Sequence, residues 1–341
     1  AAAERALALA ATLGPDDLLI ALISGGASAL MSKPVPGISI GEKFGLVKAV
    51  LKCGANIAEL NCVRKQISAV KGGRLARAAG PARIHTLALS DVPGDDPAII
   101  GSGPTVPDPT RKNDARAILA RYGVAVPPAI TAWLESPDED RTILSPETET
   151  RVIVSPSESF RAVRQKAEAM GLNVLYLGDR IEGEAREVAK VHAAMVRQVL
   201  AGASQWPSQP LAILSGGECS VTMSEAQMKQ VKGGRNSEFL LALAHELRHL
   251  NTEVPIAAMA ADTDGLDGVG GHAGAFCLPG DQAVAKAKNL SAQWHLDQHA
   301  SHAYFKAMDR LLITGPTKTN VNDLRLILIG LPQGDSVHPP G

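Results

Sequence analysis

The chain has 341 residues, with 34 Lys plus Arg against 35 Asp plus Glu and a formal net charge of -1 at pH 7, so it offers no basic field to nucleic acid or to an anionic membrane. Aromatic residues make up only 3%, too few for a base-stacking or sugar-binding platform, which leaves small-molecule chemistry. The four cysteines, Cys53, Cys62, Cys219 and Cys277, form no C-x-x-C and no zinc-like pattern, and no apolar run approaches the ~20 residues of a membrane span, so reduced thiols in a cytoplasmic protein are expected.

In chain order, residues 1–14 read as a helix already under way. Apolar runs at 17–24, 83–90, 151–155, 173–177, 211–215, 255–260, 310–314 and 324–330 predict strands. They do not alternate, which suits strands covered on both faces. Amphipathic stretches at 43–60, 112–121, 157–170, 182–200, 236–250 and 281–290 predict helices between them, so the fold class is α/β. The length suits two domains. The border falls at 204/205, with 142–204 free to join either sheet. The polar, proline-containing 136–150 reads as a linker or surface loop, and 201–210 as another boundary candidate.

Two of these strands run into the same small polar sequence. Ser24-Gly25-Gly26-Ala27-Ser28 follows the first strand and Ser215-Gly216-Gly217-Glu218 a later one. Glycines at a strand's carboxyl end let backbone N–H groups face an anion without a Cβ in the way. After each comes Lys-Gly-Gly-Arg (71–74 and 232–235), then an aspartate cluster (Asp91, Asp95 and Asp96; Asp262, Asp264 and Asp267), then Gly-Pro-Thr (103–105 and 315–317). The same order at unequal spacing excludes a solenoid; an old duplication whose halves face each other across a cleft accounts for it, with chance matching of short motifs as the other explanation. Arg235 and Asn236 open a predicted helix whose free N–H groups favour anions. Clustered carboxylates supply hard oxygen ligands for hydrated Mg²⁺, or accept a hydroxyl proton. Counting Asp262 as first, an EF-hand loop would need Glu where Ala273 stands, which excludes calcium binding of that type.

Taken together, SGGASAL, NCVRKQISAVKGGRLA, SDVPGDDPAIIGSGPTVPDP, LSGGECSVT, KGGRNSEF, AADTDGLDG and TGPTKTNVNDLR resemble the glycerate 2-kinases of the MOFRL type, whose members are often labelled hydroxypyruvate reductase. The resemblance extends over about residues 1–330. It implies ATP-dependent phosphorylation of D-glycerate to 2-phosphoglycerate with Mg²⁺. It also implies a larger Rossmann-like N-terminal domain, a smaller C-terminal MOFRL domain and an active-site cleft between them. Members of the family normally carry several tens of residues before the point where this chain begins, including a glycine-rich loop with a catalytic Lys. Two positions depart from the family pattern: Ala27 stands where a third glycine is usual, and Lys318 replaces a glycine in the late turn. The string around Lys318 is not a P-loop, because the required spacing is absent.

The resulting site expectation gives Ser24, Gly25, Gly26 and Ser28 an anion-binding turn, with Lys65 and Lys71 as cations for a carboxylate or phosphate. Asp91 is a metal or hydroxyl contact. Ser215, Gly216, Gly217, Glu218, Gly233, Gly234, Arg235 and Asn236 line the C-terminal wall. Asp262 and Asp264 bind Mg²⁺ or orient the 2-hydroxyl, and Thr317, Thr319, Asn320 and Asp323 serve the nucleotide. Lys65, Lys71, Asp91, Arg235 and Asp264 are the catalytic candidates. Partners are D-glycerate and ATP, without nucleic acid or membrane, and a homodimer is compatible with this. His295, His299 and His302 are expected to be solvated, with His295 and His299 on one helical face. An NAD(P)H-dependent hydroxypyruvate reductase is the alternative, disfavoured because no G-x-G-x-x-G with its later acidic residue follows a strand. A non-catalytic phosphometabolite-binding protein is the third.

Overall fold

The structure is a computed structural model that describes residues 2–92, 94–138, 148–223 and 232–331. The chain falls into two compact units, Ala1–Ser155 and Pro156–Gly341. Most of the expected 136–150 linker lies outside the described residues, as does Pro93. Among the described residues no helix is long and apolar enough to cross a membrane.

The first unit runs α1 (Ala2–Ala10), β1 (Leu18–Ile23), α2 (Ala27–Leu30), α3 (Ile40–Lys52), α4 (Ile57–Gln66), α5 (Arg74–Ala78), β2 (Arg83–Leu89), α6 (Lys112–Arg121), α7 (Pro128–Glu135) and β3 (Thr148–Val154). Its strands form a parallel sheet in the order β1-β2-β3. The single helix expected over 43–60 is two. Gly54 leaves α3 at φ 78°, a conformation cheap only for glycine. Asn56 then starts α4 with a capping box: its side chain accepts from the Glu59 N–H at 2.9 Å, and its own N–H donates to the Glu59 carboxylate at 3.0 Å. Leu46 and Val50 of α3 pack with Leu60 and Val63 of α4, Ile118 of α6 and Ile130 of α7. The prediction that both sheet faces are covered fails at β1. Ala21 and Ile23 are buried while Leu18, Ile20 and Leu22 are exposed, so an unbroken apolar run here still alternates in burial.

The second unit runs α8 (Pro156–Ala169), β4 (Asn173–Tyr176), β5 (Gly183–Glu184), α9 (Ala185–Leu200), β6 (Leu211–Gly217), β7 (Cys219–Ser220), α10 (Arg235–Glu246), β8 (Ile256–Asp262), β9 (Gly274–Cys277), α11 (Asp281–Ala287), α12 (Ala292–Asp297), α13 (Ser301–Met308), β10 (Leu311–Leu312) and β11 (Asp323–Ile329). Six strands pair in the order β10-β9-β8-β11-β6-β4, with β4 and β6 parallel and the other pairings antiparallel. Here β6 is buried along its whole length. Ala185, Ala189, Ala193 and Val196 form one stripe of α9 and pack with Phe239, Leu240 and Leu243 of α10, each large side chain contributing about 1.5–3 kcal/mol of burial. Phe160 of α8 is buried and lies against Gly216 of β6.

The border differs from the expected 204/205. Residues 156–204 belong to the second unit, because β4 pairs with β6 and the buried alanines of α9 share a core with α10. The N-terminal domain, expected to be the larger, is the shorter of the two units in this chain. The duplication finds no support in the topology. The strand before the first aspartates lies directly beside its Ser-Gly-Gly strand in parallel, whereas β8 and β6 are separated by the antiparallel β11.

Candidate active site

In the first unit the Ser-Gly-Gly turn is exposed and rests on the buried Lys-Gly-Gly-Arg turn. Gly72 N–H donates to Ser102 O at 3.0 Å and Gly73 N–H to Gly103 O at 2.8 Å, which fixes Lys71 beside Ser102. The Lys71 ammonium donates to Ser28 O at 2.9 Å and to the Ser28 and Ser102 hydroxyls. Arg64, from α4, donates to the same Ser28 hydroxyl. Ser28 Oγ thus accepts from two cations, and its proton is left for Ser102 Oγ at 3.1 Å. Burial, with Arg64, Lys43 and Lys65 nearby, pushes Lys71 down to about 7, because a desolvated ammonium among like charges loses its proton easily. Lys43, from α3, is pushed down to about 8 by burial and then by Arg64.

The other first-unit candidates separate. Lys65 is buried and faces Asp108 at 3.7 Å, so its charge is answered within the fold. Arg74 donates to the carbonyls of Lys65 and Lys71 at 2.6 and 3.3 Å and serves as a brace. Asp91 sits against the first turn: a Cβ on Gly25 would come within 2.6 Å of its Oδ2. Gly26 lies at φ 80°. The Ala27 methyl lies beside Gly101, whose own Cβ would come 3.4 Å from it. Ser24 is exposed, and its carbonyl accepts from Ala27 N–H at 3.2 Å.

In the second unit four motif segments meet at one guanidinium. Arg235 donates from Nε to Asp323 Oδ1 at 2.8 Å, from Nη1 to Glu218 Oε1 at 3.0 Å and from Nη2 to Asp262 Oδ2 at 2.7 Å. Burial disfavours its charge, but the carboxylates of Asp323, Glu218 and Asp262 outweigh that and hold its pKa above the ordinary value. Buried Arg325 donates to the other oxygen of Asp323 at 2.8 Å, and Asn236 donates to Asp323 Oδ1 at 2.8 Å. Burial is the largest influence on Asp262 and pushes it up to about 7, against the opposing Asp264 N–H and Arg235. Asp264 accepts from Leu266 N–H at 2.7 Å. The late loop is laced to this one: Thr317 Oγ1 donates to Thr263 O at 2.5 Å, Thr263 Oγ1 to Asn322 O at 2.7 Å, and Asn320 Oδ1 accepts from Asn322 N–H at 3.0 Å. Thr319 is exposed, and its N–H reaches Thr317 Oγ1 at 3.3 Å.

Three expectations change here. The second Ser-Gly-Gly is strand, not turn: Gly216 and Gly217 pair with Leu324 and Asp323, and added Cβ atoms would strike the Phe160 ring and the Ile181 backbone. These glycines admit neighbours, not a ligand. Ser215 is buried beside His192 Nε2 at 2.9 Å, and His192 Nδ1 lies 2.8 Å from Val188 O, so the ring donates to that carbonyl and accepts the serine proton. The N-terminus of α10 does attract an anion, but the anion is Asp267, which accepts from the N–H groups of Asn236 and Ser237 at 2.9 and 2.8 Å. Gly234 makes room for this, since a Cβ there would fall 2.3 Å from Asp267 Oδ1, whereas one on Gly233 would meet Ser301 Oγ at 2.7 Å.

The histidines are less solvated than expected. Helix α12 ends at Asp297 and His299 takes φ 51°, so His295 and His299 share no helical face. His299 contacts Glu238 Oε1 at 3.1 Å, and His302 is buried against His272. Among the described residues no group of three or more His, Cys, Asp or Glu has the geometry to enclose a metal ion. Sequence reasoning missed Lys43, Arg64 and Arg325, and it grouped Asp267 with the metal-ligand carboxylates, whereas Asp267 caps α10. Lys43 had a visible signal: with Leu46 and Val50 it occupies the buried stripe of α3. A cavity of about 870 Å³ in the second unit opens along the C-terminal half of α10, lined by Leu243, Leu247, Tyr304 and Met308, away from the Arg235 junction.

Residues 1–135 match the family described as a domain of unknown function, DUF4147, and residues 211–323 match the MOFRL family. A provisionally assigned hydroxypyruvate reductase of Agrobacterium vitis is 46% identical over 330 residues, covering 96% of this chain and 74% of that protein. A glycerate 2-kinase of Pyrococcus horikoshii is 33% identical over 339 residues, covering 97% of this chain and 75% of that protein. The crystal structure of a glycerate kinase from Thermotoga maritima matches with a TM-score of 0.86 at 33% identity, covering 96% of this chain and 77% of that chain.

Proposed function

The chain belongs to the family of glycerate kinases that carry a MOFRL domain, and from that membership we propose that it transfers the terminal phosphoryl group of ATP to the 2-hydroxyl of D-glycerate. The observation that supports this most is the junction at Arg235, where Glu218, Asp262 and Asp323 converge from three separate segments. Phosphoryl transfer asks a protein for positioning and charge neutralisation rather than covalent chemistry; Arg235, its own charge answered by three carboxylates, serves the positioning. Asp262, shifted to about 7, is poised to take the hydroxyl proton at neutral pH.

Asp262 and Asp264 fit Mg²⁺ in one sense only. Two carboxylates suit an ion that also keeps phosphate and water ligands, not one enclosed by protein alone. When bound, Mg²⁺ would neutralise phosphate charge. Arg325 and Asn236 hold Asp323, and Asp323 holds Arg235, so the orientation of the guanidinium is set before substrate arrives. The four free thiols suit a reducing, cytoplasmic setting.

Incubation with D-glycerate and Mg-ATP tests the assignment. ADP and a 2-phosphate ester are expected in equal amounts, and NADH consumption with hydroxypyruvate in the absence of ADP formation would replace the kinase with the reductase.

A further inference from the structure

We infer that the cluster of Lys43, Arg64 and Lys71 in the first unit is a site for a phosphate dianion rather than for a lone carboxylate. Lys43 and Lys71 are 2% exposed, and Arg64 is half-buried. Among the described residues none of the three has a carboxylate within ion-pairing distance; Asp108 pairs with Lys65 instead. Buried cations without counter-charge are costly, and the cost is removed either by losing protons or by gaining an anion. The two lysines already lean toward proton loss, while a guanidinium stays charged.

Charge arithmetic decides the ligand class. One carboxylate carries a single charge, whereas a phosphate ester carries about −1.5 to −2 at neutral pH and three acceptor oxygens. Only the phosphate answers two or more of the cations, and the fork of Arg64 and the point charges of the lysines suit its oxygens. The Ser28 hydroxyl, which accepts from both Arg64 and Lys71, marks the point on which the donors converge. The site opens at Ser28 and Arg64, the half-exposed members, beside the exposed Ser-Gly-Gly turn. The kinase reading enters only in naming the phosphate's bearer, a phosphorylated hydroxy acid or a nucleotide.

The test is calorimetric titration of the 341-residue chain with inorganic phosphate, D-glycerate, 2-phosphoglycerate and metal-free ATP. Inorganic phosphate is expected to bind at least about ten-fold more tightly than D-glycerate, and Arg64→Gln and Lys71→Met each to weaken phosphate about ten-fold. Displacement of phosphate by 2-phosphoglycerate assigns the product as bearer, and displacement by ATP assigns the nucleotide. Binding should take up protons at about pH 7.5, read from heats in two buffers of different ionisation enthalpy, because the anion restores charge on lysines whose neighbours are Arg64 and Lys65, with Asp108 the nearby acid. The proton uptake needs no variant, so it holds even where Lys71→Met fails to fold. D-Glycerate binding as tightly as phosphate, phosphate affinity unchanged in Arg64→Gln, or displacement by neither ester overturns the inference. None of these readouts depends on ADP formation.

Discussion

Lys-Gly-Gly-Arg occurs once in each unit, and the two copies divide their labour in opposite ways. In the first, Lys71 enters the cationic cluster while Arg74 braces backbone carbonyls. In the second, Lys232 is exposed while Arg235 gathers three carboxylates. The surroundings are opposite too: among the described residues, three cations without an ion-paired carboxylate in one unit, and one guanidinium among Glu218, Asp262 and Asp323 in the other. Identical short motifs do not even share a backbone shape here, since Gly73 is left-handed at φ 78° and Gly234 extended at φ −152°, and the residues that the fold brings around each copy decide its chemistry.

The sharpest way to break this contrast is Arg235→Ala, which leaves three carboxylates facing one another. Turnover is expected to fall by about 10³-fold or more, and Arg235→Lys should restore little, because an ammonium cannot serve three acceptors in a fixed fork. Steady-state kinetics on both variants checks this. Next comes pH. Lys71 loses its charge as pH rises through about 7, whereas Asp262 loses its charge as pH falls through about 7. The profile of kcat/KM should therefore be a narrow bell near neutrality. Lys71→Met should remove the alkaline limb and Asp262→Asn the acid limb. Both limbs surviving in both variants would assign them elsewhere.

Stability offers a third contrast. Gly234→Ala drives a Cβ into Asp267 and disturbs the cap of α10, which should cost about 2–4 kcal/mol in denaturant unfolding. The smallest effects separate structure from chemistry. Lys232→Met should change kcat less than about two-fold, as expected for a solvated charge. Lys318 sits at φ 63°, where the family pattern has glycine, and Lys318→Gly should stabilise by about 0.5–1 kcal/mol, the left-handed strain relieved less the entropy of glycine.

Much of the second site was readable in the sequence, because its chemistry lies in Arg and Asp residues inside motifs of unusual composition. Arg235, Asp262, Glu218 and Asp323 were selected from sequence, and they meet. What sequence could not supply was direction. Arg64 and Lys65 are neighbours on α4, yet successive helical side chains point about 100° apart, so Arg64 reaches Ser28 while Lys65 reaches Asp108. The same blindness applied to the glycines of β6, which resemble a ligand loop but admit Phe160 and the backbone of Ile181. Strands were found as apolar runs, but the short β9 escaped because Gly274 and Ala275 carry little hydrophobic signal. There Gly274 is required by the close approach of the Ala260 carbonyl.

The central claim, that the Arg235 junction serves phosphoryl transfer to a hydroxy acid, is tested most directly by phosphorus NMR of the products from D-glycerate and Mg-ATP. A new ester resonance from 2-phosphoglycerate, appearing in step with ADP and absent in Arg235→Ala, is the predicted result. An unchanged ATP spectrum, alongside NADH oxidation by hydroxypyruvate, would contradict it.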